Sequence, residues 1–498
     1  MTGWRRLSGR SVWSSGVKSL AIVAGAVAGL VRFLLGRDWT AGGVVAACAG
    51  AAVLIVAAVT AYEVARLRTS RWRLTGDRLE LRSGVTVRRH RSIPLDRVRS
   101  VDLRADPVLR VFGLTVVKVG TGERAAEGSE LVLDALDRGS AETLRRVLLR
   151  QHAPAPVDGP LAELRWSWIR YAPLSVWTFT GAALVLGVAY KALDTVGLKG
   201  FTTRAASGLW DWVTDRPWVT IPLILAVNVA VGALGAVLLF AESWGRYRLE
   251  REPGRLRLRR GLLTARSLTL EERRLRGVEI SEPLLLRLGG GARVKAVATG
   301  LSKTENETED IAALTPPLPR AEATRLATGL AMLGANPALA AHPSAARRRR
   351  VVRAVVTVFV LAGGAGLASW SLPASWPVAW AWLVPVTALP AGLWLAVEGH
   401  RNLGHALTPG HLVARGGAVV RRTVMLDRAG ITGWTFRQSF FQRRSSLLTL
   451  SACTAAGTGH YEVIDADRGD GLDLAASAVP GLLEPFLERT RDGKRQAA

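Results

Sequence analysis

The sequence is poor in the residues from which disulfide, metal and catalytic sites are built. It contains two cysteines and seven histidines in 498 residues, and Cys48 and Cys453 are far apart, with Cys48 in an apolar run. This spacing argues against a disulfide framework or a cysteine-based metal site. Phosphate-loop, zincin, nucleophile-elbow and paired Cys-x-x-Cys motifs are missing from the sequence. We therefore expect a protein that is not an enzyme and that holds no cofactor and no metal.

Acidic residues are scarce relative to basic ones. The chain has 66 lysines and arginines against 40 aspartates and glutamates, which gives a net charge of +26 at pH 7. Nevertheless 49% of its residues are hydrophobic, and the mean hydropathy is +0.20. Both can hold only if apolar and basic residues are segregated along the chain, as in a membrane protein. No small-residue cleavage pattern follows the first apolar run, so no cleavable signal peptide is predicted.

Six apolar segments reach or approach the length of about 20 residues that a helix needs to cross a bilayer. They pair into three predicted transmembrane hairpins at residues 17–62, 170–240 and 351–397. The linker in the second hairpin, about residues 191–216, is longer than the other two and has the composition of an interfacial segment. Tryptophans near the predicted helix ends fit an aromatic belt at headgroup level.

Lysine and arginine predict the orientation of these hairpins. The N-terminal segment is basic, and the run ARRRRVVR at 346–353 abuts the fifth helix. The middle linker gives the contrary signal, since it also carries four basic residues: Lys191, Lys199, Arg204 and Arg216. The positive-inside rule favours both termini and every long polar segment in the cytoplasm, in a multi-pass protein of a bacterial plasma membrane.

A polar block follows each hairpin, at residues 66–152, 243–335 and 399–491, and the three blocks look alike. Each has a short alternating strand that ends in glycine: RLELRSG, RLRLRRG and HLVARGG. The glycines predicted to form the hairpin turn are Gly84, Gly261 and Gly416. Each block ends in a predicted amphipathic helix, which the third block places around residues 482–487. Short strands closed by one helix predict a small β-sandwich or barrel.

A second shared feature is a short turn segment with proline, arginine and glycine, whose proline and glycine we assign to chain geometry. The aligned positions are Pro107, Arg110 and Gly113 in the first block, Pro283, Arg287 and Gly289 in the second, and Phe440, Arg443, Arg444 and Ser446 in the third.

The pattern resembles the bacterial pleckstrin-homology (PH) membrane proteins of the YdbS and YdbT type. The residues that carry the resemblance are RLTGDRLELRSG and IPLDRVRSVDLRADPVLRVFGLTVVKVGTG in the first block and LDRAGITGWTFRQSFFQRRSSLLTLSACTAAG in the third. The second block departs most, because RLGGGARVKAVATG is rich in glycine. The resemblance implies an α-helical membrane protein with six transmembrane helices in three hairpins, each followed by an α+β, PH-like β-sandwich with a C-terminal helix. It also implies a role in cell-envelope stress or antimicrobial resistance, and a shorter relative with one PH module as a partner.

Basic residues after the hairpin glycine are the candidate contact residues. By analogy with eukaryotic PH domains, they are expected to touch anionic lipid headgroups or a partner: Arg88, Arg89, Arg91, Arg421 and Arg422. The alternative is that these arginines form only a solvated face. Nucleic acid is not an expected partner, because the blocks lack interleaved aromatic residues for base stacking.

The sequence therefore predicts a non-enzymatic scaffold, embedded in the lipid bilayer, that presents three cytoplasmic PH-like modules. The alternative function is lipid binding, or transport of lipid or solute through the helix bundle. Ionisable residues are few in the predicted spans, which favours anchoring over conduction.

Overall fold

The computed structural model describes residues 3–35, 37, 39–85, 87–98, 100–120, 130–148, 158–175, 177–195, 199–299, 312–371, 379–489 and 495–497. The chain forms two compact units, Met1–Glu272 and Arg273–Ala498. The predicted end of the first module, residue 152, lies outside the described residues.

The helices divide into long apolar ones and short ones that belong to the polar blocks. In chain order they are α1 (Ser11–Leu35), α2 (Ala41–Thr69), α3 (Pro107–Val111), α4 (Arg138–Leu148), α5 (Trp177–Thr195), α6 (Lys199–Asp215), α7 (Pro217–Trp244), α8 (Leu284–Leu288), α9 (Arg320–Leu330), α10 (Ser344–Ser371), α11 (Ala379–Arg401), α12 (Phe440–Arg444) and α13 (Arg468–Ala478).

Four helical segments of the described residues are long and apolar enough to cross a membrane. They are Ser11–Val31, Ala41–Thr69, Pro217–Trp244 and Ser344–Leu367. Helix α1 packs against α2, α5 against α7, and α10 against α11. Four membrane-capable helices are therefore observed among the described residues. Six spanning helices in three hairpins stay a prediction.

The strands of the first unit are β1 (Arg5–Arg6), β2 (Arg71–Leu74), β3 (Arg78–Ser83), β4 (Arg89–Pro94), β5 (Ser100–Ala105), β6 (Leu114–Gly120), β7 (Glu130–Asp137), β8 (Asp158–Glu163), β9 (Arg248–Glu252), β10 (Arg255–Arg260) and β11 (Ala265–Glu271). Those of the second unit are β12 (Leu275–Pro283), β13 (Gly291–Ala298), β14 (Leu318–Pro319), β15 (Gly404–Leu407), β16 (His411–Gly416), β17 (Val420–Asp427), β18 (Gly433–Arg437), β19 (Leu447–Cys453), β20 (His460–Asp467), β21 (Leu487–Arg489) and β22 (Arg495–Ala497).

Each module contributes two antiparallel sheets. The first module has β1-β2-β3-β4 and then β5, β6 and β7, and the third has β15, β16 and β17 and then β18-β19-β20. Strand β3 shows why the sequence folds this way, because Leu79 and Leu81 are buried while Arg78 and Arg82 are exposed. The second module is divided at Glu272, with β8 to β11 in the first unit and β12 to β14 in the second.

A hydrophobic core lies between the two sheets of the first and third modules. In the first module Leu79, Val101, Leu131 and Leu144 are buried in one cluster, so both sheets and α4 contribute to it. In the third module the corresponding cluster contains residues of both sheets and α13: Leu412, Leu450, Val463 and Leu472. Burial of each such side chain stabilises the module by about 1.5–3 kcal/mol.

Three sequence predictions need correction. The hairpin glycine of the third module is Gly417, with φ +104°, whereas Gly416 ends β16. The turn glycine equivalent to Gly113 is Gly290, with φ +75°, not Gly289. The last helix of the third module is α13, Arg468–Ala478, because Pro480 and the positive-φ Gly481 interrupt the chain before residues 482–487.

Candidate functional site: module junctions and a basic groove

Strand pairing joins successive modules edge to edge. In the first unit β5 pairs antiparallel with β11, and Arg104 lies opposite Arg266. In the second unit β12 pairs antiparallel with β17, and Ser281 lies opposite Arg422. The position of each paired residue can be counted along the chain from the turn residue of positive φ in its module. The counts are the same at both junctions. The turn residues are Gly113 and Gly261 at the first junction and Gly290 and Gly417 at the second. The two junctions therefore share one register.

An arginine from a short helix braces each junction. At the first, Arg110 on α3 donates from Nη1 to the carbonyl of Leu262 at 2.7 Å. At the second, Arg287 on α8 donates from Nη2 to the carbonyl of Ala418 at 3.4 Å. Leu262 and Ala418 each follow the hairpin glycine, so the same contact is made twice.

The hairpin glycines are required by close backbone packing. Gly261 and Gly417 have φ of +102° and +104°. A Cβ on Gly261 would lie 1.7 Å from the carbonyl oxygen of Thr264, and one on Gly417 would lie 1.9 Å from that of Val420. Neither position can accept a side chain without movement of the turn that the arginine holds.

A buried ion pair lies at the centre of the second junction. Arg421 on β17 donates to both carboxylate oxygens of Glu282 on β12, at 2.6 and 2.7 Å, and also to Asn402 Oδ1 at 3.3 Å. Arg320 reaches the same carboxylate at 3.2 Å, and Arg422 lies 3.8 Å from Glu279. The acidic residues of β12 thus match the basic residues of β17.

Glutamates near the ends of α2, α7 and α11 contact the polar modules, and the partner of Glu398 lies in the second module. Glu63 on α2 accepts from Ser11 at 3.0 Å and from Arg66, whose other branch bonds Asp134 of β7 at 3.0 Å. Glu398 on α11 lies 3.5 Å from Arg287.

Glu242, near the end of α7, contacts the turn between β10 and β11. Its carboxylate accepts from the backbone N–H groups of Leu263 and Thr264 at 3.0 and 2.8 Å. These two bonds hold the β10–β11 hairpin against the helix end.

Helix α10 is bonded to the third module through a buried aspartate. Asp465 on β20 is 1% exposed and forms ion pairs with Arg349 and, at 3.5 Å, with Arg350. The amide of Gln442 donates to the same carboxylate at 2.8 Å. These contacts fix the orientation of the helix start relative to α12.

A basic groove lies between the start of α10 and α12. Its volume is about 960 Å³, and its walls combine arginines with apolar side chains: Arg347, Arg348, Arg349, Arg353, Arg444, Val351, Val352, Val356 and Phe441. Phe440 and Phe441 stand edge to face and are 68% and 69% exposed. Guanidinium groups beside exposed aromatic rings at the start of an apolar helix are the chemistry that suits a lipid headgroup and its acyl chains.

The profile of the bacterial PH domain matches this chain three times, at residues 20–152, 197–331 and 353–477. The chain belongs to the bacterial PH domain family. It is also 22% identical, over 434 residues, to the UPF0699 transmembrane protein YdbT of Bacillus subtilis (strain 168), covering 83% of this chain and 85% of that protein. No solved structure matches it. Each match includes apolar helical residues together with the module that follows them.

The five predicted contact residues of the PH modules differ in exposure and in their bonding partners. Arg88 is exposed just before β4, Arg89 is exposed at its first position, and Arg91 is half-buried on the same strand. Arg422 is exposed on β17, whereas Arg421 is buried in the ion pair with Glu282. Arg421 therefore has a structural partner, and contact of the other four with lipid or protein stays a prediction.

Sequence reasoning missed the glutamates and the groove. Glu63, Glu242 and Glu398 recur at the start of the three aligned blocks, YEVARL, ESWGRY and EGHRNL, and this recurrence was the available signal. The groove could not be found in this way, because Arg444 and the α10 arginines come together only in the folded third module.

Two of the histidines contact each other. His405 Nδ1 lies 3.1 Å from Nε2 of the buried His342, whose Nδ1 is 3.2 Å from the carbonyl of Asp465. Burial, and secondarily the neighbouring His405, lowers the pKa of His342 to about 4. Across the described residues no three His, Cys, Asp or Glu side chains are arranged to hold a metal.

This histidine pair predicts a pH-dependent stability of the second unit. The unfolded state binds a proton near pH 6.5 that folded His342 takes up only near pH 4, so stability falls as the pH drops through this window. We expect a loss of about 2 kcal/mol between pH 7.5 and pH 5. Thermal unfolding of the full chain in detergent measures it, and His342→Gln/His405→Gln should remove most of the dependence. A smaller dependence should remain, because burial also lowers the pKa of His400 and of His411. The exposed His460→Gln serves as the control, and an equal effect of that variant would contradict the assignment.

Proposed function

We propose that this protein is a non-enzymatic, membrane-anchored interaction scaffold, with six transmembrane helices in three hairpins and three cytoplasmic PH modules. The observation that carries the proposal is the strand pairing at the two junctions, which share one register and one arginine brace. At each junction, one continuous sheet holds strands of two modules at fixed spacing and gives them a shared surface. Such a surface suits the binding of other proteins, since main-chain edges and side chains are presented in fixed register.

The test of the scaffold is affinity purification of the full chain in mild detergent, with identification of the proteins and lipids retained. The scaffold predicts a stoichiometric protein partner, for which the family resemblance favours a shorter membrane protein with one PH module. Reconstitution of the same chain in vesicles provides the opposing measurement. Transport of lipid or solute by the reconstituted chain, with no retained partner, would contradict the scaffold.

Orientation has its own expected result. The arginines at the start of α10 and the basic N-terminus favour cytoplasmic modules. We expect reporter fusions after residues 335 and 480 to report a cytoplasmic location. In a background with Cys48→Ser and Cys453→Ser, we expect Ala374→Cys to react with an impermeant thiol reagent applied from outside. External signal from either fusion would overturn the topology.

A second function, contact with anionic lipid, is favoured by the basic groove between α10 and α12. Each arginine near an anionic surface contributes about 1 kcal/mol, so Arg347→Gln/Arg348→Gln should reduce retained phosphatidylglycerol by about tenfold or more. Native mass spectrometry of the purified chain measures retention. Arg347→Lys/Arg348→Lys keeps both charges and should retain the lipid. Equal retention by the glutamine and lysine variants would rule the groove out as the lipid site.

A further inference from the structure

The first module has a strand edge that is covered in the other two modules. Strand β4 is equivalent to β11 and β17, since each follows the hairpin glycine of its module. Strand β11 is covered by β5 and β17 by β12, whereas in the described residues β4 pairs only with β3. The difference shows in burial, because Thr269 and Met425 are fully buried and the equivalent Ser92 is exposed.

The covered edge of β17 shows what chemistry this position accepts. Its Arg421 and Arg422 face Glu282 and Glu279 of β12. In the shared register, the residues of the first module at the positions of Arg421 and Arg422 are Arg88 and Arg89, both exposed. The open edge therefore offers main-chain groups for strand pairing together with two cations that a matching strand would neutralise.

We propose that the open side of β4 is the docking site for an antiparallel edge strand of another protein, with two carboxylates three residues apart, as in β12. A short helix with an arginine would follow that strand and bond the carbonyl of Val85, which holds the position of Leu262 and Ala418. This inference rests on the proposed scaffold function and specifies where its protein partner binds. The partner is an acidic edge strand added to the sheet.

A second copy of this chain fits the site poorly, although it has an open edge of its own. Strand β18 is equivalent to β5 and β12, and in the described residues it pairs only with β19. On β4 it would place Arg437 opposite Arg89 and Gln438 opposite Arg88. Thr435 would take the place of Glu279. Like charges directly opposite on neighbouring strands are destabilising. At the first junction Asp102 of β5 bonds Arg104 and offsets the pair of Arg104 and Arg266, whereas β18 brings no carboxylate at the equivalent position.

The test uses a synthetic peptide with the sequence of residues 275–289, which contains β12 and α8, labelled with a fluorophore. The probe is titrated into the full chain in detergent micelles, where β17 is already covered by β12 in the same chain. We expect saturable binding with a Kd in the micromolar range. We expect binding at least tenfold weaker for the peptide with Glu279→Lys and Glu282→Lys.

Reversing the charges on the chain provides the matched experiment. The variant Arg88→Glu/Arg89→Glu should lose the acidic peptide and bind the lysine peptide instead. The control Arg138→Glu/Arg146→Glu reverses two exposed arginines of α4 in the same module and should bind as the unmodified chain does. If the β4 variant and the control bind the acidic peptide equally, the proposal fails.

Cross-linking tests the register and the occupant. In the Cys48→Ser/Cys453→Ser background, Ser92→Cys should form a disulfide with a peptide carrying Val278→Cys, while Arg146→Cys should not. Equal binding of a peptide of residues 431–445, which contains β18 and α12, would make a second copy the occupant and overturn the proposal. Retention of the cellular partner by the Arg88→Glu/Arg89→Glu chain would also overturn it, while leaving the scaffold function intact.

Discussion

Replacement of Arg421 by alanine is expected to lower the free energy of unfolding of the second unit by about 3 kcal/mol. The reason is the carboxylate of Glu282, which is 3% exposed and would lose its bidentate partner inside the junction. Loss of one member of a buried ion pair costs about 3–5 kcal/mol, because the other charge is left without compensation. We expect the lower end of that range, since Arg320 still reaches Glu282 at 3.2 Å.

The double variant Arg421→Met/Glu282→Leu separates charge burial from strand pairing. It removes both charges and keeps side-chain volume, so most of the lost stability should return. Denaturant-dependent hydrogen exchange at the amides of β12 and β17 measures the local effect in the full chain. If the double variant is as unstable as Arg421→Ala, the ion pair is not what the junction loses, and this explanation fails.

Gly417→Ala is expected to destabilise the same unit by about 3 kcal/mol, while its neighbour Gly416→Ala changes stability little. The first substitution adds a Cβ at φ +104°, 1.9 Å from the carbonyl oxygen of Val420. The second adds one whose nearest contact is Leu403 Cδ2 at 3.7 Å, an ordinary van der Waals distance. A left-handed conformation costs an alanine about 1–2 kcal/mol, and the backbone overlap adds to that cost.

Thermal unfolding of the two variants, side by side in one detergent, measures this difference. Gly416→Ala is the matched control, since it makes the same chemical change one residue away. Gly417→Ala should also weaken protection of the Ala418 region from hydrogen exchange, because Arg287 bonds the carbonyl there. Equal melting temperatures for the two variants would show that the turn has room for a side chain.

Local structure could be predicted from the sequence where periodicity decided it. The alternation of Leu79 and Leu81 with arginines predicted a half-buried strand, and both leucines are buried. The choice between Gly416 and Gly417 could not be made in the same way. Two adjacent glycines fit a hairpin turn equally well until the register with β17 is known.

The candidate site was less predictable, because it is made by residues far apart in the chain. Arg421 was predicted to contact anionic lipid or a partner, whereas it is buried in an ion pair with Glu282, which is 139 residues away in a different module. Hydrophobic pattern carries no information about which module edge a strand will join. Glu279 and Glu282 are notable in the sequence, because they are acidic residues in a strongly basic chain. Their role as partners of β17 can be assigned only when the strand order is known.

Because the chain is synthesised from its N-terminus, the two partners at each junction are made at different times. Arg110 and Leu262 are 152 residues apart, and Arg287 and Ala418 are 131 apart, with a pair of apolar helices between the partners each time. At about 5–20 residues per second, a ribosome needs on the order of 10 s to make the second partner after the first. During that interval β5, and later β12, waits with an unpaired edge. Completion of each sheet therefore follows emergence of the next apolar helix pair, so failed helix insertion should leave an exposed strand edge open to aggregation.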